Sequence, residues 1–180
     1  MVKEKKGLEI KQNYNKTKGE NVMKKMNNKG FSLVELIVVV LIMAIIAVAL
    51  APQVMRWVEN SRKSNDIEAY GSLVNALQVA GTDEGVLAEL PATGLSVTFT
   101  ASGVSGITGT KTIAAVCRTL PELDNGAGGI NSTAMKVQGD WSSVSDTECN
   151  NGSFQIDVTK STDGSGINVK QTYRPKKVFS

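Results

Sequence analysis

The feature that most constrains this chain is an unbroken apolar run at residues 31–51, which reads FSLVELIVVVLIMAIIAVALA. No charged residue lies between Leu36 and Met55. Twenty residues of α-helix rise about 30 Å, which is the thickness of the hydrocarbon core of a bilayer. The run therefore predicts a membrane-spanning helix.

Charge is divided unevenly on the two sides of this run. The 180 residues carry a formal net charge of +3. Residues 1–29 contain nine lysines and three glutamates, a charge of +6, so the remainder carries −3. The lysine-rich segment lacks apolar periodicity and is not expected to fold alone. Because basic flanks stay in the cytoplasm, the chain after about residue 56 is predicted to lie outside.

The composition argues against most enzyme classes. The chain has no histidine and only two cysteines, which are not spaced as CxxC. Histidine-based catalysis and the common zinc sites are thus excluded, and we find no nucleotide-binding motif. We expect no catalytic residue, no cofactor, no metal site and no specific nucleic-acid partner. Four acidic residues would bind calcium only if they converged, and we expect them to be solvated instead: Asp140, Asp146, Glu148 and Asp157.

The apolar run has three interpretations. A cleaved secretory signal is one, since Ala47-Val48-Ala49 has the shape of a signal peptidase site. A permanent signal anchor is the second. Neither explains Glu35, because a carboxylate near the start of a span costs up to about 3 kcal/mol unless it is paired. The third interpretation must give this acid a function.

The residues around Glu35 resemble a known family. The stretch 29–35 reads KGFSLVE and is followed by the apolar run and Pro52. This resembles the N-terminus of type IV pilins and pseudopilins, whose class III signal peptide combines a basic leader ending in glycine, an aromatic first mature residue and a glutamate at the fifth mature position. The resemblance covers about residues 24–62 closely.

The resemblance implies specific roles for four residues. Residues 1–30 would be a leader that a prepilin peptidase removes between Gly30 and Phe31, and Phe31 would then be N-methylated. Glu35 would set the register of assembly, and Pro52 would mark a helix kink. The true start codon, Met1, Met23 or Met26, stays open.

The same resemblance implies a structural function. The chain would be a pilin, a major one by its mature length of 150 residues, that polymerises into a type IV pilus for adhesion, motility or surface attachment. Its partners would be copies of itself, the peptidase and N-methyltransferase, and an assembly platform with an ATPase motor. The precursor would sit in the cytoplasmic membrane and the filament outside the cell. The alternative is a pseudopilin of a type II secretion or DNA-uptake machine.

The predicted fold class is α+β. A transmembrane and filament-core helix at 31–55 is expected to continue as an amphipathic helix over 56–81, and residues 82–180 are expected to form a globular head. Apolar residues spaced i, i+3, i+4 and i+7 over 70–80 predict a face that packs on the head. Gly81 is placed to end the helix.

The head is predicted to be a small antiparallel sheet against that helix. Segments 95–101, 154–159 and 167–173 alternate polar and apolar residues, and the turn formers of 161–166 predict a hairpin between the last two. Segment 134–141 is predicted as a further strand and 103–110 as a glycine-rich loop. Segment 113–120 fits either a strand or a short helix.

The two cysteines complete the family resemblance. In pilins a C-terminal cysteine pair commonly bounds a variable surface loop. The resemblance therefore implies a disulfide between Cys117 and Cys149 that bounds region 117–149, while free thiols stay an open alternative. Such a bond would stabilise the head by roughly 3–4 kcal/mol.

Overall fold

The structure is a computed structural model that describes residues 31–142, 144 and 149–176. The predicted leader therefore lies outside the described residues. The chain divides into two compact units, one ending at Val48 and the other beginning at Ala49. The predicted α+β class is confirmed, because the described chain combines one long helix with a four-stranded antiparallel sheet.

Helix α1 runs from Leu33 to Ala80, a length of 48 residues. Its first half is built from leucine, isoleucine, valine, alanine and methionine, and Pro52 lies inside the helix without ending it. The helix stops before Gly81, as predicted, and the Gly81 N–H closes the last turn on the Leu77 carbonyl at 3.0 Å.

Two shorter helices follow in the head. Helix α2 spans Glu84–Glu89, and Asp83 caps it by accepting a hydrogen bond from the Gly85 N–H at 2.8 Å. Helix α3 spans Thr110–Thr119, so the segment left open between strand and helix is helical.

Four strands form the sheet, namely β1 (Leu95–Thr100), β2 (Gly103–Ser105), β3 (Phe154–Lys160) and β4 (Ile167–Tyr173). They lie in the order β2-β1-β3-β4, and every neighbouring pair is antiparallel. The predicted hairpin between β3 and β4 is confirmed. Alternate residues of β1 and β3 are buried, as the polar and apolar alternation of their sequence predicts.

Two predictions for the head are wrong. The glycine-rich segment at 103–110 is not all loop, because Gly103–Ser105 forms strand β2. Gly103 has a φ of 120°, and a Cβ there would lie 1.9 Å from the Ser132 carbonyl oxygen, so only glycine fits. Segment 134–141 forms no strand, and its backbone is instead bonded largely by carboxylates of α1, as described below.

The head core lies between the sheet and the last four turns of α1. Tyr70, Leu73 and Leu77 are buried on one face of the helix. The Tyr70 ring meets the edge of Phe154 with centroids 5.9 Å apart, an arrangement that aromatic pairs favour. Burial raises the pKa of Tyr70 to about 12, and its hydroxyl lies 3.4 Å from the Gln155 carbonyl oxygen.

A carboxylate joins the two short helices. Glu89, the last residue of α2, accepts backbone N–H groups from the first turn of α3: Thr110 at 2.7 Å, Lys111 at 2.7 Å and Thr112 at 3.2 Å. These N–H groups have no partner within α3, and the positive end of the helix dipole favours an anion. Burial raises the pKa of Glu89, but the three N–H groups and the Lys111 ammonium outweigh it, so the pKa is lowered.

The lowered pKa of Glu89 predicts a pH-dependent contribution to stability. A carboxyl whose pKa is depressed by folding stabilises the protein above its unfolded pKa and loses that effect as the pH falls through the folded pKa. We expect Glu89→Gln to lower the unfolding temperature near neutral pH and to match the wild type in acid. Thermal unfolding followed by circular dichroism from about pH 7 to about pH 3 measures this.

Glu84→Gln is the matched control, because Glu84 is exposed on the same helix. If the unfolding temperature of Glu89→Gln stayed below that of the wild type by the same amount in acid, the stabilising role of the Glu89 carboxylate on α3, which we call the Glu89 clamp, would be contradicted.

Candidate functional site

The first candidate site is the start of α1. Phe31 and Ser32 precede the helix, and the Leu36 N–H donates to the Ser32 carbonyl at 3.2 Å. Glu35 lies in the first turn, where a carboxylate faces the unpaired N–H groups and the positive end of the helix dipole. Phe31 is 83% exposed, and Glu35 is exposed too. The structure thus brings the two predicted residues to one helix end, whereas Gly30 lies outside the described residues.

The helix that follows is apolar enough to cross a bilayer. By length and composition α1 is the candidate span among the described residues, and its most apolar 18-residue window has a mean hydropathy of 3.2. None of that window is buried. Exposed apolar surface of this size marks a contact with lipid or with another protein chain.

Pro52 lies inside this helix, and α1 continues for 28 residues beyond it. Proline has no N–H, so one backbone hydrogen bond is lost at that turn. The predicted kink at Pro52 stays a prediction.

A second arrangement, within the head unit, centres on Asp66 of α1. Asp66 is 1% exposed and is thus a buried carboxylate on the face of the helix that continues to Tyr70. It accepts three hydrogen bonds, each 2.8 Å long, from the backbone N–H groups of Gln138 and Gly139 and from the indole Nε1–H of Trp141. We call these three bonds the Asp66 clasp.

Neighbouring groups fit closely around the clasp. The Lys63 ammonium lies 5.7 Å from the centroid of the Trp141 ring, within cation–π range. A Cβ on Gly139 would lie 2.8 Å from Lys63 Cγ and 2.9 Å from Asp66 Oδ2, so the backbone approaches the helix where glycine alone fits. The Trp141 ring then packs edge-on against Phe154 of β3, with centroids 5.2 Å apart.

About two turns earlier, a second carboxylate of α1 bonds the same segment. The Asp140 N–H donates to Glu59, and Glu59 also lies 4.0 Å from the Arg62 guanidinium. The N–H groups of residues 138–140 are therefore bonded by helix side chains, and only the Val137 N–H donates to a strand, at the Thr100 carbonyl of β1, 3.0 Å away. This explains why segment 134–141 is not a strand.

The Asp66 clasp was missed by sequence reasoning, because the polar stretch at residues 59–66 fits a solvated neck or a packing contact with other subunits as well as a contact with the head. A signal was present, because Asp66, Tyr70, Leu73 and Leu77 share the i, i+4, i+7 spacing of one helix face. An acid on the buried stripe needs donors from elsewhere in the chain, and Gln138, Gly139 and Trp141 supply them.

The two cysteines are free thiols in the structure, so the predicted disulfide is not formed there. Cys149 is wholly buried, and its thiol lies 3.4 Å from the Arg174 carbonyl oxygen as a hydrogen-bond donor. Cys117 is partly buried on α3. Burial, together with the Asp124 carboxylate, raises the pKa of Cys117 and keeps it protonated.

The acidic residues considered for calcium are engaged elsewhere or fall outside the described chain. Asp140 accepts from Ser142, and Asp157 accepts from Gln155 and Thr172. Asp146 and Glu148 lie outside the described residues. Within residues 31–142, 144 and 149–176 no group of three or more cysteine or acidic side chains is placed to hold a metal.

Comparison with known proteins identifies the start of the chain. Residues 25–51 match the family model of the prokaryotic N-terminal methylation motif. The chain therefore carries the class III signal peptide of type IV pilins and pseudopilins, and the motif supports a pilin-like protein. No curated protein and no solved structure matches the chain. The resemblance seen at residues 29–35 is thus confirmed.

The Asp66 clasp predicts a large difference between two acids of one helix. Asp66→Ala leaves buried donors without partners and is expected to lower the free energy of unfolding by about 2–3 kcal/mol. Glu68→Ala, two residues away and exposed, is expected to change it by less than about 0.5 kcal/mol. Urea unfolding of the detergent-solubilised chain measures both.

A Trp57→Phe background makes Trp141 the sole tryptophan, so its fluorescence reports the clasp directly. Equal unfolding midpoints for the Asp66→Ala and Glu68→Ala variants would rule out a stabilising clasp.

Proposed function

We propose that this chain is a structural subunit, a major pilin, that polymerises through α1 into type IV pilus filaments for adhesion, motility or surface attachment. The observation that carries the proposal is the methylation motif at residues 25–51, set on an exposed apolar helix with Glu35 in its first turn.

Processing comes first in this proposal. The +6 leader holds the N-terminus in the cytoplasm. A prepilin peptidase cuts between Gly30 and Phe31, and an N-methyltransferase then modifies the new α-amino group. The exposure of Phe31, just before the helix begins, suits an enzyme that must reach this point.

Assembly follows from the surface of α1. A membrane-length stretch of apolar side chains exchanges lipid for the helices of neighbouring subunits, so the apolar surface stays out of water throughout. Pro52 is where the helix bends or locally unwinds during packing.

Glu35 supplies the register. In an apolar filament core an unpaired carboxylate is costly, and so is an unpaired α-amino group. We propose that Glu35 of one subunit pairs with the Phe31 α-amino group of its neighbour. Only one axial offset between two helices makes this pair, so the pair selects that offset.

Other partners follow from what the sequence lacks. It carries no nucleotide-binding motif, so a separate ATPase motor and an assembly platform supply the work of extrusion. The precursor stays in the cytoplasmic membrane with its head outside, and the filament projects from the cell.

The pseudopilin of a secretion or DNA-uptake machine shares this N-terminus, so the motif does not separate the two. Long extracellular filaments composed mainly of this chain are expected, and their absence from cells that make the processed protein would favour the pseudopilin.

Glu35→Ala is expected to uncouple processing from assembly. The peptidase site at Gly30 and Phe31 is unchanged, so the mature protein should accumulate with its normal N-terminus. Without the carboxylate the α-amino group has no counter-charge. Filament yield should therefore fall by at least about tenfold, which corresponds to a loss of about 1.4 kcal/mol for each contact between Glu35 and a neighbouring α-amino group. N-terminal sequencing and electron microscopy of sheared filaments measure the two steps.

Glu68→Ala removes the same charge from an exposed position on the same helix and should leave filaments intact. Normal filaments from the Glu35→Ala chain would refute the register pair.

A further inference from the structure

The loop after α3 holds an Asn-Gly pair in an unusual set of hydrogen bonds. A 3-10 turn at Pro121–Leu123 leads into the loop 124–129. Its base is closed by a bridge between Asp124 and Ile130 and by the Asn125 N–H, which donates to the Gly129 carbonyl at 3.2 Å. The loop is exposed, yet its conformation is fixed at both ends.

Two hydrogen bonds converge on the Asn125 side chain, and a third lies beside it. Its side-chain Oδ1 accepts two backbone N–H groups, from Ala127 and from Gly129, both at 2.9 Å. The backbone N–H of Gly126 donates to the Asp124 carboxylate at 2.8 Å. The side-chain carbonyl of Asn125 is therefore polarised by two donors. The backbone nitrogen of Gly126 already has a proton acceptor in the Asp124 carboxylate.

We propose that Asn125 is a site of self-catalysed deamidation, promoted by the Ala127 and Gly129 N–H groups and by the Asp124 carboxylate. The two N–H groups are aimed at the oxygen that becomes negative when the amide carbon is attacked, as in an oxyanion hole. Asp124 takes up the proton of the attacking nitrogen, as a general base does. It needs no cofactor and no enzyme.

The chemistry balances with water as the co-reactant. The Gly126 backbone nitrogen forms a bond to Asn125 Cγ, the bond from Cγ to Nδ2 breaks, and ammonia leaves with the proton that Asp124 accepted. Water then opens the five-membered succinimide ring at either carbonyl. The products are aspartate and isoaspartate, and no atom changes oxidation state.

Space around the loop permits both steps. A Cβ on Gly126 or on Gly128 would meet no other atom within 4 Å, so nothing crowds the ring as it closes. Both glycines line an open cavity of 390 Å³, which gives water access to the succinimide.

The chain contains its own comparison, a second Asn-Gly pair at Asn151-Gly152. Asn151 is held in the left-handed region, at φ 52° and ψ 37°. The Gly152 N–H donates to the Cys149 carbonyl at 3.1 Å. A backbone carbonyl does not act as a general base, unlike the carboxylate at Asp124. A Cβ on Gly152 would lie 3.2 Å from Trp141, so this pair is packed against the core.

The consequence is a change of charge on the head. A neutral amide becomes a carboxylate beside Asp124, at the rim of a cavity that Arg118 also lines. On the proposed function the head lies outside the cell, where altered subunits are not replaced one by one, so the modified fraction would rise with the age of the subunit.

The test follows both asparagines in one sample. The purified full chain in detergent is incubated near neutral pH, digested, and analysed by mass spectrometry for aspartate and isoaspartate at residues 125 and 151. We expect Asn125 to react roughly tenfold faster than Asn151 in the folded protein. This rate ratio is smaller than the factor that a single oxyanion-hole donor contributes in an enzyme. In urea the two deamidation rates should converge, because both Asn-Gly pairs then lie in an unfolded chain without the hydrogen bonds of the native structure.

Asp124→Ser separates the general base from loop geometry. The serine hydroxyl still accepts the Gly126 N–H but takes up no proton at neutral pH, so the rate at Asn125 should fall several-fold while the rate at Asn151 stays the same. Circular dichroism checks that this variant is folded. Equal rates at the two asparagines in the folded chain, or an unchanged Asn125 rate in Asp124→Ser, would overturn the proposal.

Discussion

The head depends on one buried carboxylate. Asp66 joins α1 to a segment more than 70 residues later through three bonds of 2.8 Å. A charge that is 1% exposed is costly unless its donors are complete, and here two backbone N–H groups and an indole N–H complete them. The bonds also position Trp141, whose ring covers Phe154 and so closes the core above the sheet.

Much of this fold was predictable because its periodicity is strong. The apolar run and the stripe over 70–80 indicated one long helix, and the alternating strands with turn formers at 161–166 indicated the β3–β4 hairpin. Segment 134–141 was mistaken for a strand because its alternation is real, but the N–H groups of residues 138–140 donate to side chains of α1 and only Val137 donates to a strand, at the Thr100 carbonyl. Local patterns carry no information about Asp66 or Glu59, which lie far away in sequence.

The same limit applies to the candidate site. The motif that contains Gly30, Phe31 and Glu35 could be recognised because it lies in adjacent residues, and the family model at residues 25–51 confirms the motif, while the roles of the three residues stay predictions. The clamp of Glu89 on α3 and the Asp66 clasp depend on tertiary proximity. In both, a carboxylate accepts backbone N–H groups. These two carboxylates thus hold distant parts of the backbone in place.

Two acids of α1 show why Glu35 points to a second subunit. Asp66 is buried and receives three donors from its own chain. Glu35 lies on an apolar helix, and within the described residues its side chain makes no hydrogen bond or ion pair. An unpaired carboxylate costs no free energy in water, but it is costly in lipid or in a filament core. An acid without a partner among the described residues motivates the proposed pairing of Glu35 with another subunit, and the cation that the proposed processing would create closest to it is the α-amino group of Phe31. Under the proposed function the leader would do two things: it would hold the end of the chain in the cytoplasm, and it would withhold that amino group until the subunit assembles.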